Sequence, residues 1–223
     1  MTNREFVEKL KVALSKKTLY VMGCFGAPMT DSMKARYIKD YTYNSKSARK
    51  KLITNASKDT FGFDCVCFIK GVLWGWNGNP NDTYGGAKYQ SNGVPDATIK
   101  TLFTTHCKET STDFSKIEVG EFLVNKDYGH CAIYIGEGLA IEATPNFSDG
   151  VCVTEVWNIN KTSSIGGTWY AHGKLNVIDY IAEPTEKLEA ILIYEKANND
   201  KFNKVKSVLE AEGFKVRYVV EGG

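Results

Sequence analysis

Two cysteines one residue apart, Cys65 and Cys67, follow an aspartate in the segment GFDCVCFIKGVLWG. Asp64 is a good helix-capping residue, and the apolar run after it predicts a buried helix from Cys65 to about Trp74. A thiol in the first turn of a helix faces the positive end of the helix dipole and unpaired backbone N–H groups, which favour the thiolate. Cys67 points to the opposite side of such a helix. We therefore predict that Cys65 is a nucleophile and that Cys67 is a core residue.

A thiolate nucleophile needs a base that can also protonate the leaving group, and histidine suits this role. Of the three histidines, His130 begins the alternating segment HCAIYIG, which the turn GEG joins to LAIEAT. A hairpin with this turn brings His130 near Glu142, whose carboxylate can fix the tautomer of the imidazole. His106 lies near a predicted helix end and is expected to cap it. His172 is expected to stabilise a turn.

The elements that must position these residues fall into two groups along the chain. The first part of the sequence predicts helices at residues 2–16, 34–40, 45–56 and 96–105, with a glycine-broken loop at 19–29. From Gly120 onward the pattern predicts strands at 121–125, 131–136, 139–144, 151–157 and 175–181. Helices first and a meander of strands later predict an α+β fold.

A polar connector at residues 182–187, with Pro184, separates the C-terminal segment from the rest. We therefore predict a catalytic domain at residues 1–181 and a small β-α-β unit at 188–223. A unit of this size is too small to be stable alone, so it must dock, pair with another copy or form half of a module. Cell-wall binding, self-association and a packed extension without a partner all remain open for it.

Composition excludes some classes of function. The chain has 28 basic and 26 acidic residues, a net charge of +2, whereas a nucleic-acid-binding protein is expected to be strongly basic. No apolar run approaches the roughly 20 residues that cross a bilayer, and the start MTNREFVEKL lacks the apolar core of a secretory signal. We expect a soluble protein with no membrane insertion that stays in the cytoplasm until it is released.

Four motifs give these residues a family context: YVMGC at 20–24, DCVC at 64–67, GHCAIYIG at 129–136 and IEA at 141–143. Together they resemble the NlpC-type family of cell-wall cysteine peptidases, and most of all its phage-lysin and prophage members. The resemblance implies a papain-like fold, with the nucleophile at the start of a helix packed on an antiparallel sheet. It implies that Cys65 is the nucleophile, His130 the general base and acid, and Glu142 the orienting residue. Tyr20 and Asp64 would line the site, with Tyr20 helping to hold the oxyanion.

The resemblance also implies a substrate and a reaction. The substrate would be the peptide stem of peptidoglycan, cut at an amide bond through a thioester acyl-enzyme, with no metal or organic cofactor. The protein would be a phage or prophage endolysin that acts at the cell wall after release. The sequence departs from the family pattern at Met22, Cys24 and Cys67, and at an insertion over residues 26–61 that is expected to shape the cleft.

Other readings of the same residues remain open. Cys65, Cys67, His130 and Cys131 are soft ligands that predict, as an alternative, a metal-binding module, although their spacing is not that of common zinc sites. A protein that binds the wall through a catalytically silent site would keep the fold and lose the chemistry. The same three residues would also serve an N-acetylmuramoyl-L-alanine-type amidase or an acyltransferase.

Overall fold

The computed structural model describes residues 1–181, 189–194, 200–211 and 215–220, with side chains for 1–181 and 204–209. The chain divides into two units, Met1–Tyr180 and Ile181–Gly223. The predicted connector at 182–187 lies outside the described residues. No helix of the described residues is long and apolar enough to cross a membrane.

The first helix, α1 (Asn3–Lys11), begins with a capping box between Thr2 and Glu5. Its apolar face, which includes Phe6 and Leu10, is buried. A short 3-10 helix (Val12–Ser15) continues it, so the predicted helix at 2–16 is confirmed with a tighter last turn.

A small three-stranded sheet leads to the cysteine segment. It consists of β1 (Thr18–Tyr20), β2 (Phe25–Pro28) and β3 (Phe61–Phe63), in the order β1-β3-β2. Strands β1 and β3 are parallel, and Tyr20 faces Phe63 one residue before Asp64. The prediction of a loop at 19–29 is therefore wrong for both ends of that segment, which pair as short buried strands.

The insertion between β2 and β3 folds as three short helices: α2 (Asp31–Asp40), α3 (Thr42–Ser45) and α4 (Ser47–Asn55). The predicted helices at 34–40 and 45–56 are confirmed. Buried Asn44 connects this insertion to the turn between β1 and β2. Its side-chain amide accepts the N–H of Met22 and donates to the carbonyl of Met22, each at 3.0 Å.

The cysteine segment forms the predicted buried helix α5 (Cys65–Leu73), and α6 (Ile99–His106) follows it. Thr98 caps α6, so this helix begins three residues after the predicted start at 96. Helix α5 packs against α1, β2 and two strands of the large sheet described next.

The large sheet is formed by seven strands of the described residues: β4 (Cys107–Ser111), β5 (Phe122–Val124), β6 (Cys131–Gly136), β7 (Leu139–Thr144), β8 (Gly150–Val156), β9 (Gly166–Gly167) and β10 (Ala171–Leu175). Their order across the sheet is β4-β10-β5-β6-β7-β8-β9. All neighbours pair antiparallel except β8 and β9. One face, including Cys131, Ile133 and Ile141, packs in the core that contains α5. The residues that alternate with these along the strands, such as Ala132 and Ala140, join a second core on the opposite face.

The last strand of this sheet lies earlier than predicted. The sequence suggested a strand at 175–181, but the structure has β10 at Ala171–Leu175 and turns after it. Gly173 within β10 interrupts the alternation of apolar and polar residues. Apolar residues follow β10, so the sequence pattern favoured that segment as the strand.

The second unit has β11 (Glu189–Tyr194), α7 (Asp200–Ala211) and β12 (Lys215–Val220). The two strands pair parallel, with Glu189 facing Lys215 and Tyr194 facing Val220. Apolar residues at helical spacing, among them Val205 and Val208, predict an inward face for α7, but these two residues are 47% and 55% exposed.

Candidate active site

Cys65 is the first residue of α5, and Asp64 is its N-cap. The Asp64 carboxylate accepts the N–H of Cys67 and the N–H of Gly23, each at 2.7 Å. Burial and the neighbouring Cys65 thiolate raise the pKa of Asp64 to about 6, against these hydrogen bonds. The predicted N-cap role of Asp64 is confirmed: one carboxylate oxygen caps α5, and the other holds the turn at Gly23.

Gly23 makes this junction possible. Its φ of +79° lies in the left-handed region that favours glycine, and a Cβ there would come within 1.9 Å of the Tyr41 ring. The turn between β1 and β2 can therefore approach Asp64 closely enough to donate an N–H.

His130 immediately precedes β6, as predicted, and its backbone is fixed by Asn125. The N–H of His130 donates to the Asn125 side chain at 3.0 Å, and the N–H of Asn125 donates to the His130 carbonyl at 3.2 Å. Sequence reasoning missed Asn125, although an asparagine just before a turn is a residue type that bonds local backbone.

The predicted proximity of His130 and Glu142 is confirmed. In the hairpin of β6 and β7, Ile133 faces Ile141, which places Glu142 diagonally across from His130. Nε2 of His130 lies 2.5 Å from Oε2 of Glu142. The other carboxylate oxygen, Oε1, accepts the hydroxyl of Thr154 in β8 at 2.5 Å. Glu142 is only 4% exposed, so its carboxylate is held in place by two partners away from water.

Trp169 covers one face of the imidazole. Its ring is stacked on His130 with centroids 5.7 Å apart and an interplanar angle of 21°. The backbone of Trp169 is held in turn by Asn158, which accepts its N–H at 2.7 Å and donates to its carbonyl at 3.0 Å. Sequence reasoning also missed Trp169, because the segment before β10 has no periodic pattern.

The Cys65 sulfur receives donors from two sides. A hydrogen bond from the buried Cys131 thiol, followed by the hydrogen bond and charge of His130, lowers the pKa of Cys65 to about 5 despite burial. Because Nε2 of His130 is engaged with Glu142, Nδ1 is the ring nitrogen left to face the sulfur. Burial disfavours the imidazolium, but the bonds to Cys65 and Glu142 outweigh it and raise the pKa of His130 to about 9. These values favour a thiolate–imidazolium pair near neutral pH.

Tyr20, at the end of β1, is 6% exposed and packs edge-on against Tyr43. Burial, and then the charge of Cys65, raise the pKa of Tyr20, so its hydroxyl stays protonated. Cys65 contributes to this shift because its sulfur lies near the Tyr20 hydroxyl. The structure thus brings Tyr20, Cys65, His130 and Glu142 into one connected cluster.

One cavity opens on this cluster, and a second cavity reaches the start of α5. The His-side cavity has a volume of about 390 Å³ and is lined by Tyr20, His130, Glu142, Phe147 and Trp169, among others. The helix-side cavity, of about 600 Å³, reaches Gly23, Asp64 and Cys67. Cys65 itself is 7% exposed and the His130 side chain 26%, so the imidazole is the more open member of the pair.

The remaining cysteine and histidine predictions have mixed outcomes. Cys67 is buried in the main core, as predicted, and burial raises its pKa well above the usual range for a thiol. The prediction for His172 is wrong, because this residue lies in β10. Its Nδ1 bonds the Glu121 carboxylate and its Nε2 bonds the carbonyl of Asp113 at 3.0 Å. His106 ends α6, and its carbonyl accepts the N–H of Asn176 at 2.9 Å.

The metal alternative finds no geometric support in the part of the chain that is described. Within it, no group of three or more His, Cys, Asp or Glu side chains is arranged to hold a metal ion. Cys65 and Cys67 leave α5 on different sides, toward the His-side cluster and the helix-side cavity respectively.

Comparison with known proteins gives a structural similarity at low sequence identity. No family model matches the sequence, and no curated protein matches it. Among solved structures, the chain is similar to the P60 domain of an antigen from M. avium subspecies paratuberculosis. The identity is 15%, the match covers 80% of this chain and 98% of that domain, and the TM-score is 0.41. A likeness at this level establishes neither a family nor an activity.

Proposed function

We propose that this protein is a cysteine hydrolase that cleaves an amide bond in the peptide stem of bacterial peptidoglycan. The observation that supports the chemistry most strongly is the pairing of Cys65 with His130, whose ring is held by Glu142 at 2.5 Å. The substrate is proposed from the four sequence motifs around Tyr20, Cys65, His130 and Glu142. The same motifs lead us to propose that the enzyme is a phage or prophage endolysin.

The first half of the proposed reaction forms a thioester. The Cys65 thiolate attacks the amide carbonyl carbon, and the carbonyl oxygen takes up the negative charge. The backbone N–H of Cys65 lies in the first turn of α5, where amides have no intrahelical acceptor, and the Tyr20 hydroxyl is a protonated donor beside the sulfur. Both are candidates to stabilise the oxyanion. The proton on His130 then passes to the leaving amine as the carbon–nitrogen bond breaks.

The second half releases the acid. His130, now neutral, takes a proton from a water molecule that attacks the thioester carbonyl carbon. The carbon–sulfur bond breaks, the new carboxylic acid leaves, and the thiolate–imidazolium pair is restored. Glu142 keeps its charge throughout and stabilises the imidazolium each time it forms.

The experiment that tests this function is digestion of purified peptidoglycan by the full chain, with mass spectrometry of the soluble fragments. We expect fragments with one new amine and one new carboxylate at a single type of amide bond. Cys65→Ser should abolish their release and leave the thermal unfolding midpoint nearly unchanged. Cys67→Ser, which alters the other cysteine of the same helix, should retain most of the activity.

The reverse pattern, an active Cys65→Ser and an inactive but folded Cys67→Ser, would overturn the assignment of the nucleophile. Intact peptidoglycan after incubation with folded wild-type protein would overturn the proposed substrate. Fragments cut between sugar and peptide would instead identify the amidase reaction on the same site.

A further inference from the structure

The helix-side cavity, of about 600 Å³, has the size of a ligand pocket, and the proposed reaction does not use it. Asp64, at the start of α5, lines this cavity, and the residues of its outer wall belong to other parts of the chain. Arg36 and Tyr37 of α2 belong to the insertion between β2 and β3, and Tyr84 and Tyr89 follow α5. The cavity therefore reaches the start of α5 through Asp64 and Cys67, and its outer wall comes from the insertion and from the segment after α5.

Its aromatic wall is preformed. Phe25 stacks on Tyr84 with centroids 4.3 Å apart at 23°, and Trp74 and Tyr89 meet edge-on at 5.1 Å. The Tyr89 hydroxyl is fixed on Asp96 at 2.6 Å, although Tyr89 itself is 55% exposed. A ring that is held in place yet open to solvent offers apolar surface to a ligand at little conformational cost.

The charged side chains of this cavity differ in how much hydrogen-bonding capacity remains for a ligand. Lys70 is buried and bonded to Asp96 and to the carbonyl of Ala97, and both oxygens of Asp64 are taken by backbone N–H groups. Arg36 is half-exposed, at 51% for the side chain. Its Nη1 donates to the Tyr84 hydroxyl at 2.6 Å, and its Nε lies 3.6 Å from the Asp40 carboxylate.

A guanidinium has five N–H groups in a planar fork, so these two contacts leave Arg36 with donors for a further acceptor. The contact with Asp40 is long and solvent-exposed, and such pairs contribute little and are readily exchanged. The bond to Tyr84, by contrast, fixes the guanidinium against the aromatic wall. The acceptors that match a fixed guanidinium best are carboxylates and phosphates, and a peptide offers carboxylates.

The His-side cavity supplies no comparable cation. Among the described residues that line it, the charged side chains are His130 and Glu142, which are bonded to each other. A carboxylate-bearing ligand therefore finds an available positive group in the helix-side cavity and not in the His-side cavity.

We propose that the helix-side cavity is a substrate subsite that binds a carboxylate of the peptide through Arg36, with Tyr84 and Tyr89 packing on the apolar part of the same residue. This subsite rests on the proposed function for the identity of its ligand, since stem peptides carry free carboxylates. Its binding property can nevertheless be measured without turnover.

The test uses the full chain with Cys65→Ala, which can bind but not cleave, in isothermal titration calorimetry. The probe is the stem tripeptide acetyl-L-Ala-γ-D-Glu-L-Lys amide, whose one carboxylate is that of D-Glu. Its partner is the same peptide with D-isoglutamine, in which a carboxamide replaces that carboxylate. We expect the carboxylate form to bind at least tenfold more tightly, and Arg36→Gln to abolish the difference.

Two further variants separate recognition from general charge. Lys39→Met removes a positive charge from the exposed surface of the same helix and should leave the tenfold preference intact. Arg36→Lys keeps the charge but loses the planar fork and should retain only part of the preference. Unfolding midpoints confirm that each variant is folded.

Equal affinity for the two peptides, no binding of either, or an unchanged preference in folded Arg36→Gln would each overturn this subsite. The proposed function fails separately, when the wild-type protein leaves peptidoglycan intact. A preference that depends on Arg36 would then still establish the carboxylate site.

Discussion

Replacing Glu142 with glutamine removes the negative charge beside His130 while keeping the shape of the side chain. The amide oxygen can still accept from Nε2 of His130, and the amide nitrogen can donate to Thr154, whose hydroxyl can accept as well as donate. The positions of Cys65 and His130 should therefore be retained. The change isolates the electrostatic contribution of the carboxylate to the imidazolium.

The magnitude follows from the type of hydrogen bond that is lost. A bond to a charged partner contributes about 1.5–3 kcal/mol and a neutral one about 1 kcal/mol, so the imidazolium loses about 0.5–2 kcal/mol. If the transition state requires the imidazolium, the rate of wall digestion should fall about 2- to 30-fold. The pKa of His130, about 9 in the native protein, should also fall, moving the alkaline limb of the activity profile down by about one pH unit.

The assay is the initial rate of peptidoglycan clearing across the pH range for the wild type, Glu142→Gln and Glu137→Gln. Glu137 is an exposed carboxylate in the turn of the same hairpin, so its replacement controls for loss of one negative charge. A folded Glu142→Gln variant with the wild-type rate and the wild-type alkaline limb would refute the orienting role of Glu142.

Two further predictions concern residues that support the site. Arg49, 10% exposed, bonds Asp149 at 2.5 Å and the Tyr20 carbonyl at 3.2 Å. Arg49→Met should therefore lower the free energy of unfolding by roughly 1–3 kcal/mol, as measured in urea, and reduce kcat more than it changes KM, with Arg49→Lys recovering part of both. Burial lowers the pKa of His172, but the Glu121 carboxylate outweighs it and raises that pKa above 6.5 in the folded state. The stability that this pair contributes is therefore complete below pH 6.5 and is lost as pH rises through the folded pKa. His172→Gln should cost roughly 3 kcal/mol in urea unfolding at low pH and less at high pH, whereas a pH-independent cost would contradict the charged pair.

The parts of the site that the sequence predicted have short-range signals. Asp64 before an apolar run marks the start of α5, and the alternation around the GEG turn sets the hairpin that carries His130 and Glu142. Each of these signals lies within about a dozen residues of the side chain that it positions. The catalytic roles inferred from them remain predictions.

The parts that the sequence did not predict depend on contacts between distant segments. Thr154 reaches Glu142 only because β8 pairs with β7 in one particular register, and Trp169 reaches His130 from a segment with no periodic pattern. Strands β1 to β3 have three or four residues and are almost wholly buried, so they show no alternation of apolar and polar residues. Such strands are stabilised by their neighbours more than by local propensity.

The central claim is that Cys65 is a thiolate paired with the His130 imidazolium. The most direct measurement is the rate of carbamidomethylation of Cys65 by iodoacetamide as a function of pH, read by peptide mass spectrometry on the full chain. We predict half-maximal reactivity near pH 5, and a shift to clearly higher pH in His130→Ala but not in His106→Ala. A wild-type Cys65 that reacts only near the ordinary thiol pKa of about 8.5, or a profile unchanged by His130→Ala, would contradict the claim.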